Sequence, residues 1–124
     1  MKLTASIAGA VALMMLCAAA ALAQDPASTD PAHFSVELDN ARVRVLRVTV
    51  PPNTKVQLHE LWDAVVVPLA DYESTLKRPT GETATVERKT GKAAWLAAGA
   101  REFESGNQGV NALLIEIKGP SATR

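Results

Sequence analysis

The chain has 124 residues, with 13 basic against 13 acidic side chains, 48% hydrophobic residues and a single cysteine. That balance excludes a strongly basic nucleic-acid surface, and no global field draws the chain to anionic lipid. One cysteine excludes an internal disulfide framework, so stability must come from an apolar core.

Residues 1–23 read as a secretory signal peptide. Lys2 precedes an apolar run from Ile7 to Leu16, followed by Cys17 and several alanines. Ala21-Leu22-Ala23 is the small-x-small pattern of a signal-peptidase site. A membrane anchor would need about 20 apolar residues and a flank that retains it. The polar QDPASTDP after Ala23 favours cleavage instead. A lipoprotein would rest on Cys17, but the residue before it is Leu16, not a small one. Cleavage predicts an exported chain, periplasmic or secreted, with no stable membrane insertion. It removes Lys2 and the only cysteine, leaving 12 basic against 13 acidic side chains.

Residues 24–32 carry Pro26 and Pro31 among polar neighbours and read as a flexible leader. Residues 33–118 then form one domain of ordinary size, with a short tail over 119–124. Through this domain the hydrophobic pattern has period two, with turn residues every eight to twelve positions, as in an all-β sandwich or barrel. Strands are expected at Phe34 to Leu38, Arg42 to Val50, Lys55 to His59, Ala64 to Leu69 and Tyr72 to Lys77. Four more follow at Thr83 to Lys89, Ala93 to Leu96, Arg101 to Ser105 and Asn111 to Lys118. Proline, glycine and asparagine clusters separate them.

In Arg42 to Val50 the valine parity slips between Val45 and Leu46, as a β-bulge would produce. That bulge would send Arg42, Arg44, Arg47 and Thr49 to solvent. With no stacking aromatics nearby, the arginines make no nucleic-acid site. Asp63 to Leu69 (DAVVVPL) is apolar on both faces. It therefore needs an outer cover, from the strand at Phe34 or from a second subunit. Pro68 marks a strand end or a bulge.

Two segments, Asn53 to Tyr72 and Gly91 to Gly106, resemble the paired motifs of the cupin family, small jelly-roll barrels that often hold one metal on histidines and a glutamate. Asn53 stands at the opening glycine of the first motif and His59 at its first histidine. Leu61 stands at the second histidine, Val65 at the glutamate and Tyr72 at the closing glycine. In the second motif Gly91 and Gly99 fit, Ala97 replaces a proline, and the third histidine place falls on Glu102 or, in some members, on Arg101. RVRVLRVTVPP and WLAAG frame the motifs. The resemblance covers residues 40 to 118 and implies an all-β antiparallel jelly-roll barrel.

Phe103 is the only large apolar residue of its strand and should face the core. Alternation then turns Arg101 and Ser105 inward and Glu102 and Glu104 outward. The expected pocket is His59, Leu61, Trp62, Val65 and Arg101. Leucine and valine have no lone pair to donate, and a guanidinium repels a cation, so no metal and no cofactor is expected. His59 has three readings: a metal ligand, a general base, or a hydrogen-bonding side chain without chemistry, which is favoured. His33 reads as a surface residue. Trp62 is a lid or simply packs, and Trp95 belongs to the core or an interface. Glu87-Arg88-Lys89 and Arg101-Glu102 read as charge clusters of the solvated kind.

The favoured function is an exported, non-catalytic barrel that binds a small anion without metal. The alternative is a metal-dependent oxygenase or isomerase using His59 with atypical ligands. A third reading is protein interaction through DAVVVPL, with a homodimer as candidate assembly.

Overall fold

Nine strands form where the alternation predicts them. They are β1 (Phe34–Asp39), β2 (Val43–Val50), β3 (Lys55–Leu58), β4 (Ala64–Pro68), β5 (Tyr72–Lys77), β6 (Thr83–Arg88), β7 (Ala94–Leu96), β8 (Arg101–Ser105) and β9 (Val110–Ile117). The computed structural model describes residues 25–58 and 60–119. The expected signal peptide and His59 lie outside the described residues.

One sheet has the order β1-β2-β9-β4-β7 and the other β3-β8-β5-β6, every pairing antiparallel. The two sheets face each other as a jelly roll. Alternate residues of each strand fill the space between them. The five-stranded sheet contributes Leu46, Val48 and Val50 of β2, Ala64 and Val66 of β4, and Val110, Ala112 and Leu114 of β9. The four-stranded sheet contributes Val56, Leu58 and Tyr72, with Phe103 packed against them. Each buried valine or leucine stabilises the fold by about 1.5–3 kcal/mol, the main driving force in a chain without disulfides.

The phase slip expected in β2 is absent. β2 pairs with β9 residue for residue from Val43↔Ile117 to Val50↔Val110. The irregularity lies in β1, between Val36 and Leu38. Arg44 therefore points inward beside Leu46 and is 8% exposed, which corrects the solvent-facing expectation. Its Nε lies 3.3 Å from Oε1 of Glu116, its cross-strand partner, which is 0% exposed. Nη1 donates to Asp25 Oδ2 at 2.8 Å, and Nη2 donates to Asp25 Oδ1.

Asp25 also corrects the flexible leader, within its described part. It caps a one-turn helix, α1 (Pro26–Thr29), with proline at the first helical position, where the missing N–H costs nothing. Pro26 is buried and Ala27 packs on the core. The segment thus closes one end of the barrel, held by a bidentate guanidinium pair. His33, expected at the surface, is half-buried, and its Nδ1 lies 2.8 Å from Asp30 Oδ2.

The turn after β2 is pinned by Ser105. Its hydroxyl donates to Pro51 O at 2.5 Å and accepts from Thr54 N at 2.9 Å. Gly109 closes the same end at φ +68, where an added Cβ would stand 2.5 Å from Val50 O, so only glycine fits.

β4 ends at Pro68 as expected. Its outer face, Val65 and Val67, is half-buried. β1 does not cover it, because β1 pairs with β2 at the far edge of the sheet. The outer face of this sheet carries Val43, Val45, Val65, Leu113, Ile115 and Trp95, the last 59% exposed.

Candidate functional site

β6 is one edge of the four-stranded sheet and β7 one edge of the five-stranded sheet, and residues of both line one opening. The inner face of β6 shows this: Ala84 is exposed, and Val86 and Arg88 are half-buried. A groove of about 970 Å³ follows this opening between the β5–β6 hairpin and the β7–β8 loop. It is at the upper end of the size range of small-molecule sites. A smaller void of about 70 Å³ lies between the sheets. Leu76, Val86, Arg88, Leu96 and Arg101 line both, so the groove leads into the interior.

Arg101 opens β8 and shares the inward parity of Phe103, as alternation predicts, while Glu102 takes the other face opposite Gln57 and Lys77. The Arg101 guanidinium donates from Nη2 to Ala97 O. Lys77↔Glu102 is the last pair of the β5–β8 ladder, so Arg78 comes next to Arg101. Burial first, and then the like charge of Arg78, hold Arg101 below the usual arginine value. An arginine stays charged through such a shift, so the site keeps two adjacent cations.

Arg88 is the residue that sequence reasoning missed. It was grouped with Glu87 and Lys89 as a solvated cluster. Glu87 and Lys89 do form an exposed pair at 3.6 Å, but Arg88 has the opposite parity and lines the interior. Val86 carried the signal: it is the only large apolar residue of β6, so Arg88 shares its inward face. Across the ladder Arg88 faces Tyr72. Burial pushes the Tyr72 phenol up, and Arg88 acts against that shift by charge and hydrogen bonding. The phenol therefore stays protonated at neutral pH and remains a donor.

Arg78, Arg88 and Arg101 take part in no ion pair among the described residues. By contrast Arg44, Arg47 and Lys118 each have a carboxylate. One carboxylate, Glu82, lines the groove beside the three arginines. The large side chains of the remaining walls are aliphatic or aromatic: Leu76, Val86, Trp95 and Leu96. The wall opposite β6 is fixed by Asp63, whose Oδ1 accepts from Ala98 N at 2.8 Å, and by Gly99 N donating to Leu61 O at 3.0 Å.

Of the residues expected in the pocket, Arg101 lines both the groove and the void. Val65 does not: β4 begins at Ala64, so Ala64 and Val66 take the inward parity and Val65 faces outward, opposite Trp95 and Ile115. Leu61 is a buried core residue and Trp62 is half-buried; neither lines the groove or the void. His59 lies outside the described residues. The places that would hold a metal thus carry a core leucine, an outward valine and a cation. Among the described residues no three His, Cys, Asp or Glu side chains come together around one point. Leucine, valine and arginine do not fit the metal that the cupin resemblance implies.

No family model matches the chain, and no curated protein does. Solved structures do. A cupin domain from Bordetella pertussis Tohama I is 26% identical, with a TM-score of 0.62, covering 69% of this chain and 92% of that one. A cupin superfamily protein from Desulfitobacterium hafniense DCB-2 is 11% identical, with a TM-score of 0.53 and coverage of 69% and 76%. A cupin protein from Bacteroides fragilis is 14% identical, with a TM-score of 0.52 and coverage of 73% and 80%.

Proposed function

We propose that this chain, which belongs to the cupin superfamily, is an exported binding module that holds a small organic anion without metal and without catalysis. One observation carries the reading: three arginines without carboxylate partners line a groove whose other walls are largely apolar. Guanidiniums that outnumber the one carboxylate of a partly desolvated cleft attract anions more strongly than surface lysines do, because less water screens them. Arg101 and Arg78 stand side by side, and a planar carboxylate matches the fork of a guanidinium. Leu61 and Val65 at the family's ligand places support a site that has given up metal. The Ala21-Leu22-Ala23 sequence supports export, and intact mass of the exported protein tests it: a mass that retains residues 1–23 would overturn that part.

The anion reading is tested by chemical-shift titration of the purified protein with octanoate. Saturable shifts around Arg101 are expected, and Arg101→Gln should weaken binding about tenfold or more, the loss of a charge-assisted hydrogen-bond pair. Equal binding of octylammonium would overturn it. Stoichiometric iron, manganese or zinc on protein purified without added metal would favour the oxygenase or isomerase alternative.

A further inference from the structure

The three guanidiniums of the groove are not one cluster. Arg78 and Arg101 stand together at one end of the four-stranded sheet. Arg88 is paired with Tyr72, at the opposite end of β5. Six residues of β5 separate the levels of Arg78 and Tyr72, which is about 20 Å of strand. Between the two poles the groove floor is Leu76, Ala84 and Val86, and Leu96 faces them from the other sheet. The glutamate that lines the groove, Glu82, lies in the β5–β6 turn, where Glu82 O accepts from Arg78 N. It is at the Arg78 pole and leaves Arg88 unaccompanied.

We infer that the groove takes an elongated dianion: one carboxylate on Arg78 and Arg101, an aliphatic body over Leu76, Val86 and Leu96, and a second carboxylate on Arg88. This rests on the anion reading and adds the ligand's length and second charge. A monoanion would satisfy one pole and leave Arg88 facing apolar walls. A short diacid could not reach both poles. With about 20 Å of strand between the two levels and guanidinium side chains able to reach several ångströms, a ligand bridging about 10–15 Å meets both poles. That span corresponds to a linear dicarboxylate of about eight to twelve carbons. Arg88 stands across the ladder from Tyr72 and has five guanidinium donors to offer a carboxylate.

The experiment is a titration of the purified protein with a dicarboxylate series (succinate, suberate, sebacate, dodecanedioate) and with octanoate. Suberate or a longer diacid should bind about tenfold or more above octanoate, the gain from a second charge-assisted contact. Succinate should fall to the level of a single-pole ligand. Arg88→Gln should weaken the long diacid about tenfold more than it weakens octanoate, whereas Arg101→Gln should weaken both. Equal affinity of octanoate and every diacid would overturn the dianion and leave the anion site standing. Absence of binding by any of these acids would overturn both. Should Arg88→Gln prove unstable, the length dependence on the unaltered protein decides alone.

Discussion

Replacing Arg44 by Met tests whether the buried pair with Glu116 organises one end of the barrel. Methionine keeps much of the volume and removes the charge. Glu116, at 0% exposure, would lose the guanidinium that stands 3.3 Å from its carboxylate. Breaking a buried pair by removing one partner costs about 3–5 kcal/mol, most of it from the charge left behind. The same change removes the guanidinium that Asp25 contacts, one of the ties that hold the one-turn helix at the barrel end. For a domain with about 5–15 kcal/mol in total, this loss is a large share. In urea, with a slope of about 1.5 kcal/mol/M, the midpoint should fall by about 2–3 M. Adding Glu116→Gln to Arg44→Met should recover a good part of the loss, because the fully buried carboxylate is then replaced by a neutral amide. Arg47→Met is the control: the Arg47–Glu37 pair is exposed, and its loss should barely move the midpoint. An Arg44→Met midpoint equal to that of Arg47→Met would refute the reasoning.

Gly109→Ala should destabilise by about 1–3 kcal/mol, because the new Cβ meets the Val50 carbonyl and the residue must hold φ +68; an unchanged thermal midpoint would count against the turn as described. Tyr72 is held above its ordinary value of 10.0 by burial, so its contribution is intact below about pH 10 and is lost as pH climbs toward the folded-state value. Tyr72→Phe should therefore flatten the alkaline limb of the stability profile relative to the unaltered protein, and parallel limbs would contradict this. The outer face of the five-stranded sheet, with Trp95 59% and Leu38 51% exposed, is a contiguous apolar surface of the kind that meets a partner. A homodimer through this face should dissociate in sedimentation on Trp95→Glu with Leu38→Lys, and a protein that sediments as a monomer before substitution would dispose of it.

The strands were legible because their alternation is regular and their turns are marked by proline, glycine and asparagine. Arg101 was legible because Phe103 fixes the phase of a strand with a single large apolar residue. The same logic, applied to Val86, would have found Arg88, but the charged neighbours Glu87 and Lys89 suggested a uniformly solvated run. Val65 was misplaced because AVVVP is apolar at every position and carries no parity signal; the start of β4 decides it. Arg44 was misread because a buried arginine looks like a solvent-facing one until its partners are known. One of them, Glu116, stands across the ladder in β9, and the other, Asp25, lies in a segment whose composition reads as a leader. Long-range pairs of this kind leave no local pattern. Leu61 and Val65 are side chains without a lone pair to donate wherever they point, which needs no structure to see.

The central claim is that this barrel binds an organic anion through arginines and not through a metal. Calorimetric titration with suberate, with and without excess chelator and at two ionic strengths, tests it most directly. Binding should be unchanged by the chelator and should weaken as salt is raised, because guanidinium–carboxylate attraction at an open groove is screened. Binding that disappears with the chelator and returns with a divalent metal would contradict the claim.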